Sequence, residues 1–183
     1  SHYKPFVPMA DVLKPGSSGN VRLEEFTVSE KESDSTRLRA VIGHPDEFVP
    51  AGRYVRLFIN DQLYMSDTPY EQRYNMGAVY SANGHVLIAG LGIGLIVVPM
   101  LRNRDVKSVT VIENNTDVIQ VIASQLKHRK LTVVHGDAFT WVPPKGQLYD
   151  LIYFDIWADS CVDNLEQISM LKRRYARRLN RLN

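Results

Sequence analysis

Apolar positions change their rhythm near residue 84, and the change divides the chain. Before it the period is two: VRLEEFTV (21–28), TRLRAVI (36–42) and RYVRLFI (53–59) alternate or are β-branched, with polar or proline-rich connections between them, and each predicts a strand. Asn60 and Asp61, between RLFI and QLYM, both tolerate positive φ and predict a tight hairpin, so the stretch reads as a small β-meander. TPYEQRYNMGAVYSA (68–82) predicts a helix capped by Thr68 or Asp67, with Pro69 in its first turn. Residues 1–20, punctuated by KPF and KPGSSG, read as an extended arm.

After Gly84 strands and helices alternate. Val86–Ala89, Val109–Ile112, Leu131–Val134 and Leu151–Phe154 are short, nearly continuous apolar runs, the pattern of parallel strands covered on both faces. Thr116–Lys127 carries Val118, Ile119, Val121, Ile122 and Leu126 at helical spacing and closes on basic residues that complement the helix dipole. The segment VDNLEQISMLKRRYARRLNRL predicts a last helix with Leu165, Ile168, Leu171, Tyr175, Leu179 and Leu182 on one face. The division expected is an arm at 1–20, a meander with its linking helix at 21–83, and an α/β domain at 84–183.

Composition adds bounds. The 183 residues suit one domain with a small appendage, and 44% hydrophobic with 23% charged residues is a globular balance. No apolar run approaches the ~20 residues of a membrane helix. The single cysteine, Cys161, forms no internal disulfide and points to a reducing compartment, so a cytoplasmic protein is expected. The five histidines show no metal spacing, and no metal is expected. A net charge of +2 names no partner. Lys172, Arg173, Arg174, Arg177, Arg178 and Arg181 crowd the last helix; a nucleic-acid groove is one reading, and a solvated face suited to the helix dipole is the favoured one.

The chemistry concentrates after the first α/β strand. VLIAGLGIG places Gly90, Gly92 and Gly94 in a loop between strand and helix, where bare backbone N–H groups meet a ligand. The spacing excludes G-x-G-x-x-G, because Leu95 stands at the third glycine's place, and no Lys-Ser or Lys-Thr follows as in a phosphate loop. Glu113 ends the second strand in VTVIEN, 23 residues beyond Gly90, where an acid accepts from ribose hydroxyls. Asp137 follows the third strand in VVHGDAF, and Asp155 ends the fourth in LIYFDIW, so three acids stand on the carboxyl rim of the sheet. Pro99 falls inside the expected first helix and calls for a late start or a kink.

AGLGIG, the acid in VIEN, HGDAF and YDLIYFD, in that order and spacing, resemble the successive motifs of class I S-adenosylmethionine-dependent methyltransferases over roughly Gly84–Asp159. The upstream hairpin LFINDQLYMSDTPYEQRY is similar to the lead-in of spermidine synthases, and the whole pattern resembles short methyltransferase-like proteins of bacteriophages, which would make the compartment a host cytoplasm. The resemblance implies an α/β, Rossmann-like methyltransferase fold with a small N-terminal β-meander. Against the seven strands of that family the parallel sheet is abbreviated at its C-terminal side, so Leu151–Phe154 is expected at an open edge unless the meander, the last helix or a second subunit covers it.

The cofactor implied is S-adenosylmethionine or its decarboxylated form. Gly90, Gly92 and Gly94 would pass beneath its tail and ribose, Glu113 with Asn114 would hold the ribose, and Asp137 with Ala138 would meet the adenine. Asp155 is the candidate base; Tyr70, Glu71, Tyr74, Trp157 and Asp159 are candidates for the acceptor side, although each also serves as an ordinary surface, core-edge or capping residue. Two departures bear on the reaction. Spermidine synthases carry an acid inside the glycine loop, where this chain has Ile93, and a D-S-S-D-like motif where it has Asp155-Ile156-Trp157-Ala158-Asp159. Three readings follow: methyl transfer to an unidentified acceptor, aminopropyl transfer from the decarboxylated cofactor, and a binding or interaction module that keeps the fold without turnover. A homo-oligomer is compatible with each.

Overall fold

The computed structural model describes residues 5–156 and 165–181; Trp157, Asp159, Cys161 and Leu182 lie outside them. Two sheets build the molecule. An antiparallel sheet takes the order β1 (Gly16–Ser18), β2 (Val21–Val28), β3 (Gly52–Ile59), β4 (Gln62–Ser66). In the parallel sheet β5 (Gly84–Ala89), β6 (Val106–Glu113), β7 (Leu131–His135) and β8 (Leu151–Phe154) take the order β7-β6-β5-β8. The chain thus runs outward from β5 through β6 to β7, then crosses to the other side of β5 for β8. That reversal makes a topological switch point at the carboxyl end of β5, where ligands bind in Rossmann-like α/β sheets.

Period two explains how the sheet is covered. Val86 and Ile88 of β5 join one core, which also takes Val97 and Met100 of α3 (Val97–Arg102), Val118 of α4 (Thr116–Val121), and Val21, Leu23, Val55 and Leu57 from the antiparallel sheet. Leu87 and Ala89 point the other way, into a smaller core closed by Leu171 and Tyr175 of α5 (Leu165–Tyr175). Of the face predicted for that last helix, Leu171 and Tyr175 are buried while Leu165 and Leu179 are exposed. The four parallel strands fall where the apolar runs predict them, and the hairpin turn has positive φ at both Asn60 (53°) and Asp61 (58°). Pro99 is accommodated by a late start: it is the third residue of α3, where a backbone N–H would have no helical partner.

Residues 36–42 depart from the strand expected of them. They lie in or just after α1 (Glu30–Val41), which Ser29 and Glu32 open with a reciprocal capping box. Leu38, Val41 and Ile42 are exposed, so their alternation had no sheet face to bury and local capping decided the conformation. The expected arm is folded as well: Met9 and Leu13 are buried, and residues 16–18 pair with β2. Asp67 ties it down. Its buried carboxylate accepts from the N–H of Met9 at 2.9 Å and of Val55 at 2.8 Å, so it does not cap α2 (Pro69–Ser81), whose N-cap Thr68 makes no side-chain cap bond. Among the described residues no helix is long and apolar enough to cross a membrane.

Candidate functional site

The glycine loop leaves β5 at the switch point, and its three glycines do different work. Gly90 has φ 98°, and a side chain there would collide with the backbone carbonyl of Asp155, so β8 approaches closely only because this residue is bare. Gly92 and Gly94 are also left-handed, but their faces are filled by Met65 of β4 and by Leu126. The hairpin therefore sits on the loop: Gly92 serves packing between the sheets, and Gly94 packing against the segment after α4.

A cavity of about 370 Å³ opens at this point, lined by Gly90, Glu113, Asn114, Asp137 and Ala138 together with Tyr64, Phe139, Ile156 and Gln167. Five of the seven residues expected to meet the cofactor thus share one space; Gly92 and Gly94 do not line it. Glu113 is only 8% exposed, and both carboxylate oxygens are engaged: one accepts from the N–H of Leu91 at 2.9 Å, the other from the N–H of Asn115 at 2.9 Å. This clamp fixes the carboxylate at the strand end and leaves each oxygen a second lone pair for a hydroxyl. Asp137 accepts from the N–H of Phe139 at 2.9 Å, and the Ala138 carbonyl receives the Tyr175 hydroxyl at 2.5 Å, so α5 holds the floor of the cavity from beneath. Nothing in the sequence marked Tyr64 or Gln167, which reach the cavity from β4 and α5 through tertiary folding alone.

A second cavity, of about 550 Å³, runs beside β8 and is mainly apolar, with Tyr74, Ile152, Tyr153, Phe154 and Asp155 on one wall and Ile168, Lys172 and Tyr175 of α5 on the other. Asp155 lines this groove, and the next residue, Ile156, lines the first cavity. Burial, reinforced by the negative charges of Glu71 and Glu113, pushes its carboxyl up to about 7. Tyr64 and Tyr153 are pushed up to about 12 by burial with the charge of Asp155 added, so both hydroxyls stay protonated. Tyr153 donates to Asn75 Oδ1 at 2.9 Å, and Asn75 in turn donates to the Glu71 carbonyl at 2.8 Å, which fastens the acidic end of α2 to β8. Tyr74 reaches the groove, whereas Tyr70 is half-exposed and lines neither space.

The basic residues of the last helix divide in the same way. Arg174 donates to the Trp141 carbonyl at 2.8 Å and Arg178 to the Pro144 carbonyl at 2.9 Å, bracing the turn before β8, while Lys172 and Arg181 line the groove. Among the described residues no three histidine, cysteine or carboxylate side chains converge as a metal requires.

No known family model matches the sequence. Polyamine aminopropyltransferase 1 of Streptomyces coelicolor is 34% identical over 134 residues, which is 66% of this chain and 24% of that protein. A polyamine aminopropyltransferase of Leptospira interrogans is 30% identical over 117 residues, 55% of this chain and 23% of that one. The chain therefore spans about a quarter of the length of these curated relatives. Among solved structures, spermidine synthase from Thermotoga maritima matches 79% of this chain and 47% of its own at 14% identity, with a TM-score of 0.47. A dimethyladenosine transferase from Plasmodium falciparum matches 61% and 38% at 22% identity, with a TM-score of 0.44.

Proposed function

We propose that the chain forms the nucleotide-binding part of an aminopropyltransferase that uses decarboxylated S-adenosylmethionine and an amine acceptor. The observation that carries the reading is Asp155, a carboxyl that lines the groove next in sequence to Ile156 of the first cavity, with its proton affinity raised to about 7. The aminopropyltransferases among the relatives support it, and they turn the balance away from the methyl transfer that the glycine and acid motifs alone favour.

The residues fit the group. The cavity lined by Gly90 and Gly136 would take a nucleoside, Glu113 offers fixed acceptors for ribose hydroxyls, and Asp137 with Ala138 stands where an adenine edge would be read. When bound, the cofactor supplies a sulfonium-activated aminopropyl carbon, on which an amine nitrogen displaces a neutral thioether. The chain's own task is proton management and alignment. Above pH 7 Asp155 is ionised; it accepts one proton from the incoming ammonium and frees the lone pair that attacks. Tyr64 and Tyr153, held protonated, act only as donors or walls. The rate is expected to rise with pH through about 7, as the Asp155 carboxyl loses its proton.

One observation favours methyl transfer as a second reading: Ile93, fully buried, stands where spermidine synthases place an acid in the glycine loop. Calorimetric titration with both forms of the cofactor, followed by product analysis with putrescine as acceptor, separates the two. The expected result is preference for the decarboxylated form, with Asp155→Asn retaining binding and losing at least ~100-fold in transfer. Preference for S-adenosylmethionine would select methyl transfer, and binding of neither would leave a module that keeps the fold alone.

A further inference from the structure

The β3–β4 hairpin carries one irregularity. Leu57 pairs with Met65 and Phe58 with Leu63, so the register slips at Tyr64, which is the extra residue of a β-bulge. Regular alternation sends successive residues of a strand to opposite faces, yet Tyr64 and Met65 both pack against the main core, while Leu63 before them is 61% exposed. The bulge lets the two share the inner face: the sulfur of Met65 lies over Gly92, and Tyr64 enters the wall of the first cavity. Glu113 and Asp137 line the same cavity, and among the described residues no lysine, arginine or histidine does. The negative charges of Asp155, Glu113 and Glu71 all act on the Tyr64 hydroxyl, which has no hydrogen-bond partner among the described residues.

We propose that Tyr64 is a specificity residue of this cavity, its ring forming a cation–π wall for a positively charged sulfur on the 5′ side of a bound nucleoside. A sulfonium has no N–H or O–H to donate, so the carboxylates around it attract its charge but cannot hydrogen-bond to it. An aromatic face meets such a centre without that geometry, and the attraction grows where water is excluded. Tyr64 is partly buried against the core, which suits that requirement. The acids act on any cation in the site, ammonium included; the ring adds a preference that depends on contact with the sulfur. The assignment rests on the sulfonium-nucleoside reading above and is common to methyl and aminopropyl transfer.

Calorimetric titration of the wild-type chain, Tyr64→Phe and Tyr64→Leu tests it with two ligand pairs, each a sulfonium and the thioether that lacks its methyl group. One pair is S-adenosylmethionine with S-adenosylhomocysteine, and the other is the decarboxylated form of each. In the pair that the wild-type protein prefers, the sulfonium should bind at least ~10-fold tighter than its thioether, and Tyr64→Phe should keep that ratio. Tyr64→Leu should cut the ratio at least ~5-fold with the thioether affinity unchanged, because Glu71, Glu113 and Asp155 remain in place. An unchanged ratio in Tyr64→Leu, or an equal loss of both ligands, would assign Tyr64 to packing and overturn the proposal while the nucleoside site stands. A collapse of the ratio in Tyr64→Phe would also overturn it, giving the selectivity to the hydroxyl. Binding of none of the four ligands by the wild-type protein would overturn the nucleoside reading and this assignment together.

Discussion

Replacing Asp155 by asparagine should stabilise the unliganded protein, and by an amount that depends on pH. The carboxyl is raised from 3.8 to about 7, a shift of about 3 units, and at 1.36 kcal/mol per unit this bounds the cost of the buried charge at about 4 kcal/mol. The sign follows from linkage. Between the two values the folded state holds a proton that the unfolded chain has released, so stability falls as pH rises. The side chain costs nothing well below pH 4, the cost grows by at most ~1.4 kcal/mol per unit between about 4 and 7, and above that it is flat. Asparagine has nearly the same shape and no charge to bury, so its stability should not follow this slope. Urea unfolding of both proteins at pH 4, 5.5, 7 and 8.5 without ligand is the assay. The curves should nearly coincide at pH 4, and the variant should lead by about 2–4 kcal/mol at pH 8.5. A constant gap across the range, or a variant weaker at pH 8.5, would refute the claim that burial and neighbouring acids hold this carboxyl uphill.

Glu113→Gln keeps an acceptor for one of the two backbone N–H groups and sets an NH2 against the other, so it should cost about 1–3 kcal/mol in unliganded protein by thermal or urea unfolding, before any loss of ligand affinity. Gly90→Ala combines a positive φ with a collision against the Asp155 carbonyl and should lose at least ~2 kcal/mol, detected as poor soluble yield or a lowered midpoint; wild-type stability would show that β8 does not approach as closely as described. Tyr153→Phe strands the Asn75 carboxamide oxygen in a site 4% exposed, so a loss of about 1–3 kcal/mol is expected, with faster amide exchange at the start of α2. Binding a cationic ligand beside Asp155 at pH 7 should lower its proton affinity and release part of a proton, measured as a binding enthalpy that changes with buffer ionisation enthalpy; Asp155→Asn should abolish the effect.

The parallel half was legible because its strands are covered on both faces, fully at the centre in β5 and partly at β7 and β8, and such cover leaves a signal of continuous apolar runs. The acids at strand ends were legible for a related reason: a polar residue directly after such a run must stand on the carboxyl rim. Residues 36–42 misled because a period of two has meaning only where a sheet receives one face, and there Ser29 and Glu32 fix a helix first. Asp67 was readable as a cap from its neighbours in sequence, yet its carboxylate is spent on the N–H groups of Met9 and Val55, contacts that exist only after the arm folds back. The same limit hid Tyr64 and Gln167. It also made three equivalent-looking glycines of a loop in which Gly90 receives the Asp155 carbonyl and lines the cavity, while Gly92 and Gly94 receive Met65 and Leu126 and do not line it.

The hairpin contact changes how the charge pattern of the site reads. With Ile93 buried beneath the loop, the glycine segment itself offers a bound tail no carboxylate, and negative charge comes instead from Glu113 at the end of β6, Asp155 after β8 and Glu71 on α2. The three arrive from separate elements, and the proton affinity of Asp155 is raised first by its burial and then by the charges of Glu71 and Glu113. A zwitterionic tail would bring a further carboxylate into this field and raise that affinity again. A tail ending in ammonium, or an ammonium acceptor, relieves the repulsion and gains most where it sits nearest Asp155. The Tyr153–Asn75 hydrogen bond ties α2, which carries Glu71, to β8. An ammonium beside Asp155 would offset both the cost of burying that carboxylate and its repulsion from Glu71 and Glu113, an advantage that a tail carrying its own carboxylate would lose in part.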